Sequence, residues 1–140
     1  MKKLKQTILH KKFGNCFSTC IASLFDLKIE DVPNFCAHDD WWKKLQDWLR
    51  PQNLAFIELP TNKGVMPPLP ILQDGMLCLA VGTGPRGCLH AVIIKYKTDG
   101  VKHWFDLEHD PHPSDAGIFT TDFIGWFIVV DPSKPIRGLI

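Results

Sequence analysis

The 140-residue sequence has no long apolar run. Nothing in it approaches the roughly 20 consecutive apolar residues of a membrane-spanning helix. Leu4-Lys5-Gln6-Thr7-Ile8-Leu9-His10 is too interrupted to be the apolar core of a secretion signal. Internal repeats, low-complexity tracts and Cys-x-x-Cys pairs are also missing. Net charge is scarce as well, since sixteen Lys and Arg stand against fifteen Asp and Glu, for a formal +1. With 45% hydrophobic and 22% charged residues, the chain reads as globular, neither disordered nor membrane-spanning. These absences lead us to expect one domain over residues 1–140, located in the cytoplasm.

The near-neutral total hides an asymmetry. Lys2, Lys3, Lys5, Lys11 and Lys12 lie in a stretch without an acid, and removing them leaves eleven basic residues against fifteen acidic ones. This arm reads as a solvated terminus rather than a nucleic-acid surface, because nucleic-acid binders spread such charge over a whole face. Cys16, Cys20, Cys36, Cys78 and Cys88 form an odd set in a chain without a recognisable export signal, which argues for free thiols and against a disulfide framework.

From Cys16 to about Leu27, apolar residues recur at helical spacing with small residues between them, which predicts a buried helix with Asn15 as its N-cap. A second helix is predicted from Asp39 to Arg50, with Trp41, Trp42, Leu45, Trp48 and Leu49 as a core-packing stripe and Pro51 as its stop. Leu54–Leu59, Met76–Val81, Cys88–Lys97, Val101–Asp110 and Ile124–Val130 read as strands. Thr98-Asp99-Gly100 reads as a hairpin turn, and the proline-rich stretch from Pro60 to Pro70 as a long loop. Helices first and an antiparallel sheet afterwards make this an α+β protein.

Nucleophilic catalysis by a thiol needs a thiolate, a base, a group to orient that base, and oxyanion donors. Cys16 has the favoured position among the five cysteines, because a helix N-terminus favours negative charge. The other four read as core residues. His90 opens an apolar strand and becomes a candidate base through the cysteine before it and the acids after it. Those acids, Asp106, Glu108 and Asp110, alternate along the next strand and share one face of it. A three-residue turn would set His90 opposite Glu108, with Asp106 and Asp110 as diagonal neighbours, whereas a two-residue turn would set His109 there.

At these positions the sequence resembles papain-like cysteine peptidases. Gly14-Asn15-Cys16-Phe17 stands at a helix start, Gln6 precedes it, and His90 and an acid follow on successive strands. His109-Asp110-Pro111 is most similar to the compact bacteriocin-processing, double-glycine-leader peptidases. Small bacterial and phage proteins of this type share segments similar to Glu30-Asp31-Val32-Pro33-Asn34-Phe35 and Asp110-Pro111-His112-Pro113-Ser114. The resemblance spans about residues 6 to 115. It implies a papain-like fold and a thiol hydrolase with Cys16 as nucleophile, His90 as general base and acid, Asp110 as orienting carboxylate and Gln6 as oxyanion donor.

The expected partner is therefore a peptide, protein or other amide substrate, with no cofactor, no membrane and no nucleic acid. Two other readings compete. Cys88-Leu89-His90 with His109 and His112 offers zinc ligands, and a papain-like scaffold can serve as a non-catalytic binding module. Phe13, Trp104, Trp126 and the Pro60–Pro70 loop are candidate walls of a substrate site.

Overall fold

In the computed structural model, the described residues are 1–10, 14–61 and 72–135. Two short helices, α1 (Cys16–Leu24) and α2 (Trp41–Leu49), precede and pack on a five-stranded antiparallel sheet. Its strands are β1 (Leu54–Pro60), β2 (Leu77–Thr83), β3 (Leu89–Thr98), β4 (His103–His109) and β5 (Phe123–Val129). Their order across the sheet is β1-β5-β2-β3-β4. The expected α+β class is thus observed. Phe13, Lys11, Lys12 and most of the Pro60–Pro70 stretch lie outside the described residues.

One core cluster joins both helices to the sheet through Phe17, Ile21, Leu45, Leu49, Phe56 and Ile93. A second, built on Cys78, Ala80, Val92, Ile94 and Trp126, collects alternate strand residues. β1 is an edge strand, and the Gln46 carboxamide closes its free side at Phe56. Gln46 Nε2 donates to the Phe56 carbonyl at 2.9 Å, and the Phe56 N–H donates to Gln46 Oε1 at 3.1 Å.

Helix α1 ends three residues before the expected Leu27. Asp26 takes a left-handed φ of 55°, and the Leu27 N–H donates back to the Ala22 carbonyl at 2.9 Å. This is a Schellman-type stop made with aspartate instead of glycine. Asn15 precedes the helix, but its side chain makes no capping bond. Helix α2 is likewise shorter than the expected Asp39–Arg50.

The β3–β4 turn corrects both expected registers. It has four residues, 99–102, because Asp99 Oδ1 accepts the backbone N–H groups of Val101 and Lys102 at 2.8 and 2.7 Å. Thr98 therefore pairs with His103 and Lys95 with Asp106, so β4 ends before it reaches His90. A bulge then interrupts the ladder between Ile93 and Ile94, whose partners are His109 and Leu107. The extra residue, Glu108, breaks the simple alternation expected of Asp106, Glu108 and Asp110.

The described lysines of the N-terminal arm, Lys2, Lys3 and Lys5, are exposed as expected of a solvated terminus, yet the arm is tied to the rest of the chain. The Gln6 N–H donates to the Pro111 carbonyl at 2.8 Å, and Lys5 Nζ donates to the Asp110 and His112 carbonyls at 3.0 and 3.2 Å. Lys5 also pairs with Asp115. The arm thereby joins the start of α1 to the segment after β4.

Candidate active site

The site forms where the arm, the start of α1, the start of β3 and the segment after β4 meet. A cavity of about 500 Å³ opens there, with Gln6, Cys16, His90 and His112 in its wall. Cys16 is the first residue of α1 and is half-buried. His90 is 4% exposed and Asp110 only 2%, so their contact is shielded from water.

His90 Nε2 lies 2.6 Å from Asp110 Oδ1, and the Cys16 thiol, in the same cavity wall, is near enough to the imidazole to favour its charged form. Nε2 is taken by the carboxylate, so Nδ1 is the nitrogen left for sulfur. Burial alone would push the imidazole down, but the Asp110 hydrogen bond and the nearby Cys16 thiol raise it to about 9. Burial would likewise raise Asp110. Instead the His90 ring, the His112 N–H at 2.8 Å and the Gly117 N–H at 2.7 Å hold its carboxyl down at about 2. Three donors thus keep the carboxylate charged and aimed at the ring.

The other candidate acids are engaged elsewhere. Glu108 Oε2 pairs with Lys95 at 3.3 Å, and Asp106 is exposed opposite Lys95. His109 turns its Nε2 to the Leu4 carbonyl. No group of three or more His, Cys, Asp or Glu among the described residues is placed to hold a metal ion.

Asn15 and Gly14 hold the arm against helix α1. Asn15 Oδ1 accepts the Thr7 and Ile8 N–H groups at 3.1 and 2.9 Å, and its Nδ2 donates to Thr7 Oγ1 at 2.9 Å. A Cβ at Gly14 would stand 2.6 Å from the His10 carbonyl oxygen, so only glycine permits this approach. Gln6 is buried as a result. Its Nε2 donates one hydrogen to the Ile8 carbonyl at 2.8 Å and retains a second. Its Oε1 is buried without a partner among the described residues.

All five cysteines are free. Cys20 is fully buried and donates to the Ala91 carbonyl, and burial pushes it well above the ordinary thiol range. Burial also raises Cys78, to about 11. Cys36 packs against the core and also lines the cavity, whereas Cys88, half-buried in the cavity wall, departs from the core reading. Trp104 and Trp126 are not among the cavity residues, and the tryptophan that does line it is Trp41 of α2. His112, considered from sequence only as a zinc ligand and as part of the shared Asp110–Ser114 segment, also lines it, as do Glu58 and Arg86, which carried no sequence signal beyond their side-chain chemistry.

Comparison of the chain with protein-family models, curated proteins and solved structures gave no match.

Proposed function

We propose that the protein is a cysteine-dependent acyl-transfer enzyme, a peptidase or amidase of papain-like type acting through a thioester on Cys16. The observation that carries this reading is the presence of Cys16 and His90 in the wall of one cavity, with a buried, triply hydrogen-bonded Asp110 bound to the His90 ring. The helices-then-sheet order and the closeness of Gln6 to the start of α1 support the papain-like assignment.

His90 takes the thiol proton and Cys16 sulfur attacks the carbonyl carbon of the amide. The carbonyl oxygen becomes an oxyanion, for which the Cys16 backbone N–H and the second Gln6 Nε2 hydrogen are the donors. The C–N bond breaks as His90 returns the proton to the leaving amine, giving a thioester. Water, deprotonated by His90, then attacks the thioester. The carboxylic acid departs and the thiol is restored. Throughout, Asp110 holds the ring with Nδ1 toward sulfur and stabilises the imidazolium.

Iodoacetamide at neutral pH, followed by peptide mass mapping, tests the assignment. Cys16 should be alkylated ahead of the other four thiols, and His90→Gln should slow that reaction. Preferential alkylation of another cysteine in the folded protein would overturn it. A complementary test incubates the protein with activated amides such as peptidyl nitroanilides. An acyl group should be trapped on Cys16 and be absent from Cys16→Ala.

A further inference from the structure

Glu58 lies on β1 in the same alternating row as Leu54 and Phe56, both of which belong to the core cluster beneath the helices. At Glu58 that row leaves the core and enters the wall of the Cys16 cavity. The strand position is conspicuous for its neighbour too. Glu58 pairs with Gly125, and a Cβ there would come within 2.2 Å of the Phe56 ring.

The carboxylate of Glu58 has no hydrogen bond or ion pair among the described residues, whereas Asp110 and Arg86 have partners. Burial pushes it above the ordinary carboxylate range, and no described cation draws it back down. The positively charged and imidazole side chains of the cavity are Arg86, His10, His90 and His112. Cys16, Cys36 and Glu58 all line this cavity, and Cys36 is raised to about 12 by burial first and then by the charges of Cys16 and Glu58. Around it the wall is apolar, with Phe17, Trp41, Val81 and Phe123.

A half-buried acid without a partner, set in an aromatic and aliphatic wall, matches a long aliphatic stem that ends in a cation. We infer that Glu58 is the specificity-determining residue of this cavity and selects substrates with an ammonium or guanidinium side chain. This rests on Cys16 being the acyl-accepting thiol and names the substrate class of that site. The stem packs on the apolar wall while the cationic head pairs with Glu58, which brings the neighbouring carbonyl to Cys16.

Methanethiosulfonates that differ only in charge provide the test. Each transfers its alkylthio group to the thiol and releases methanesulfinate, so the chemistry is constant while the group entering the cavity is cationic (trimethylammonioethyl), anionic (sulfonatoethyl) or neutral (methyl). Rates at Cys16 are read by peptide mass mapping in the whole protein. Wild type should favour the cationic over the anionic reagent at low ionic strength, and added salt should shrink that ratio. Glu58→Gln should lower the cationic-to-anionic ratio about tenfold, with the neutral rate measured alongside to correct for any change in the thiol itself, and Glu58→Lys should invert the preference. An unchanged ratio in folded Glu58→Gln, or a wild-type ratio indifferent to salt, would overturn the inference. His90→Gln separates the two proposals: it should slow all three reagents, while loss of the imidazolium should strengthen the preference for the cationic one. If it slowed none, the catalytic reading would fail while the charge preference was still measured.

Discussion

At the scale of single residues, the His90–Asp110 contact sets the chemistry. The imidazole is raised to about 9 against the downward pull of burial, with the Asp110 hydrogen bond as the largest of the effects that raise it. Asp110→Asn keeps the size of the side chain and removes its charge. The His90 titration, followed by NMR of the ring, should then fall from about 9 toward or below the ordinary histidine value, because burial would act with much less opposition. Acyl transfer should fall by roughly 10²- to 10⁴-fold, the usual range for a misdirected general base. A His90 midpoint that stayed near 9 in this variant would show that Asp110 does not govern it.

At the scale of elements, catalytic geometry depends on how the arm joins α1. Asn15 carries three of the side-chain bonds across that junction. Asn15→Ala should leave the Thr7 and Ile8 amides without their acceptor, at about 0.5–1.5 kcal/mol for each lost bond, because both residues are exposed and water can take its place. Hydrogen exchange at those two amides should accelerate, while protection in the central β2–β3 ladder should change little. Gly14→Ala attacks the same junction by steric means. Its Cβ would meet backbone at 2.6 Å, so Gln6 must shift, and acyl transfer should drop by at least about tenfold even where the fold persists.

These elements also show how far sequence could reach. Cys16 and His90 were legible as candidates because rare side-chain chemistry fell at a helix start and a strand start, where secondary structure constrains position, whereas Asp110 stood out from Asp106 and Glu108 only through the family resemblance. The role of Asn15 was not legible, since a side chain that ties down another segment looks like a cap in sequence. The end of α1 was misjudged because Asp26 supplies the left-handed turn usually marked by glycine. The register was misjudged because two side-chain bonds from Asp99 stabilise a four-residue turn. Glu58 and Trp41 entered the site only through the tertiary arrangement of β1 and α2, for which local periodicity carries no signal.

At the scale of the whole molecule, the same contact joins the two halves of the chain and makes stability depend on pH. Asp110 titrates near 2 in the folded protein, against about 3.8 ordinarily. Its contribution is therefore present above about pH 4 and is lost as pH falls toward 2. His90 titrates near 9, against 6.5 ordinarily, so its contribution is full below pH 6.5 and is lost as pH rises through 9. Above that, Cys20, Cys36 and Cys78 add to the loss, because burial opposes their ionisation in the folded state only. Calorimetric melting temperatures should consequently form a plateau between about pH 4 and 6.5 and decline on both sides. In Asp110→Asn the decline between pH 6.5 and 9 should flatten, since His90 no longer binds its proton more tightly in the folded chain. A decline of undiminished slope in that variant would assign the alkaline loss to other groups and remove the buried pair as the link between the site and the stability of the fold.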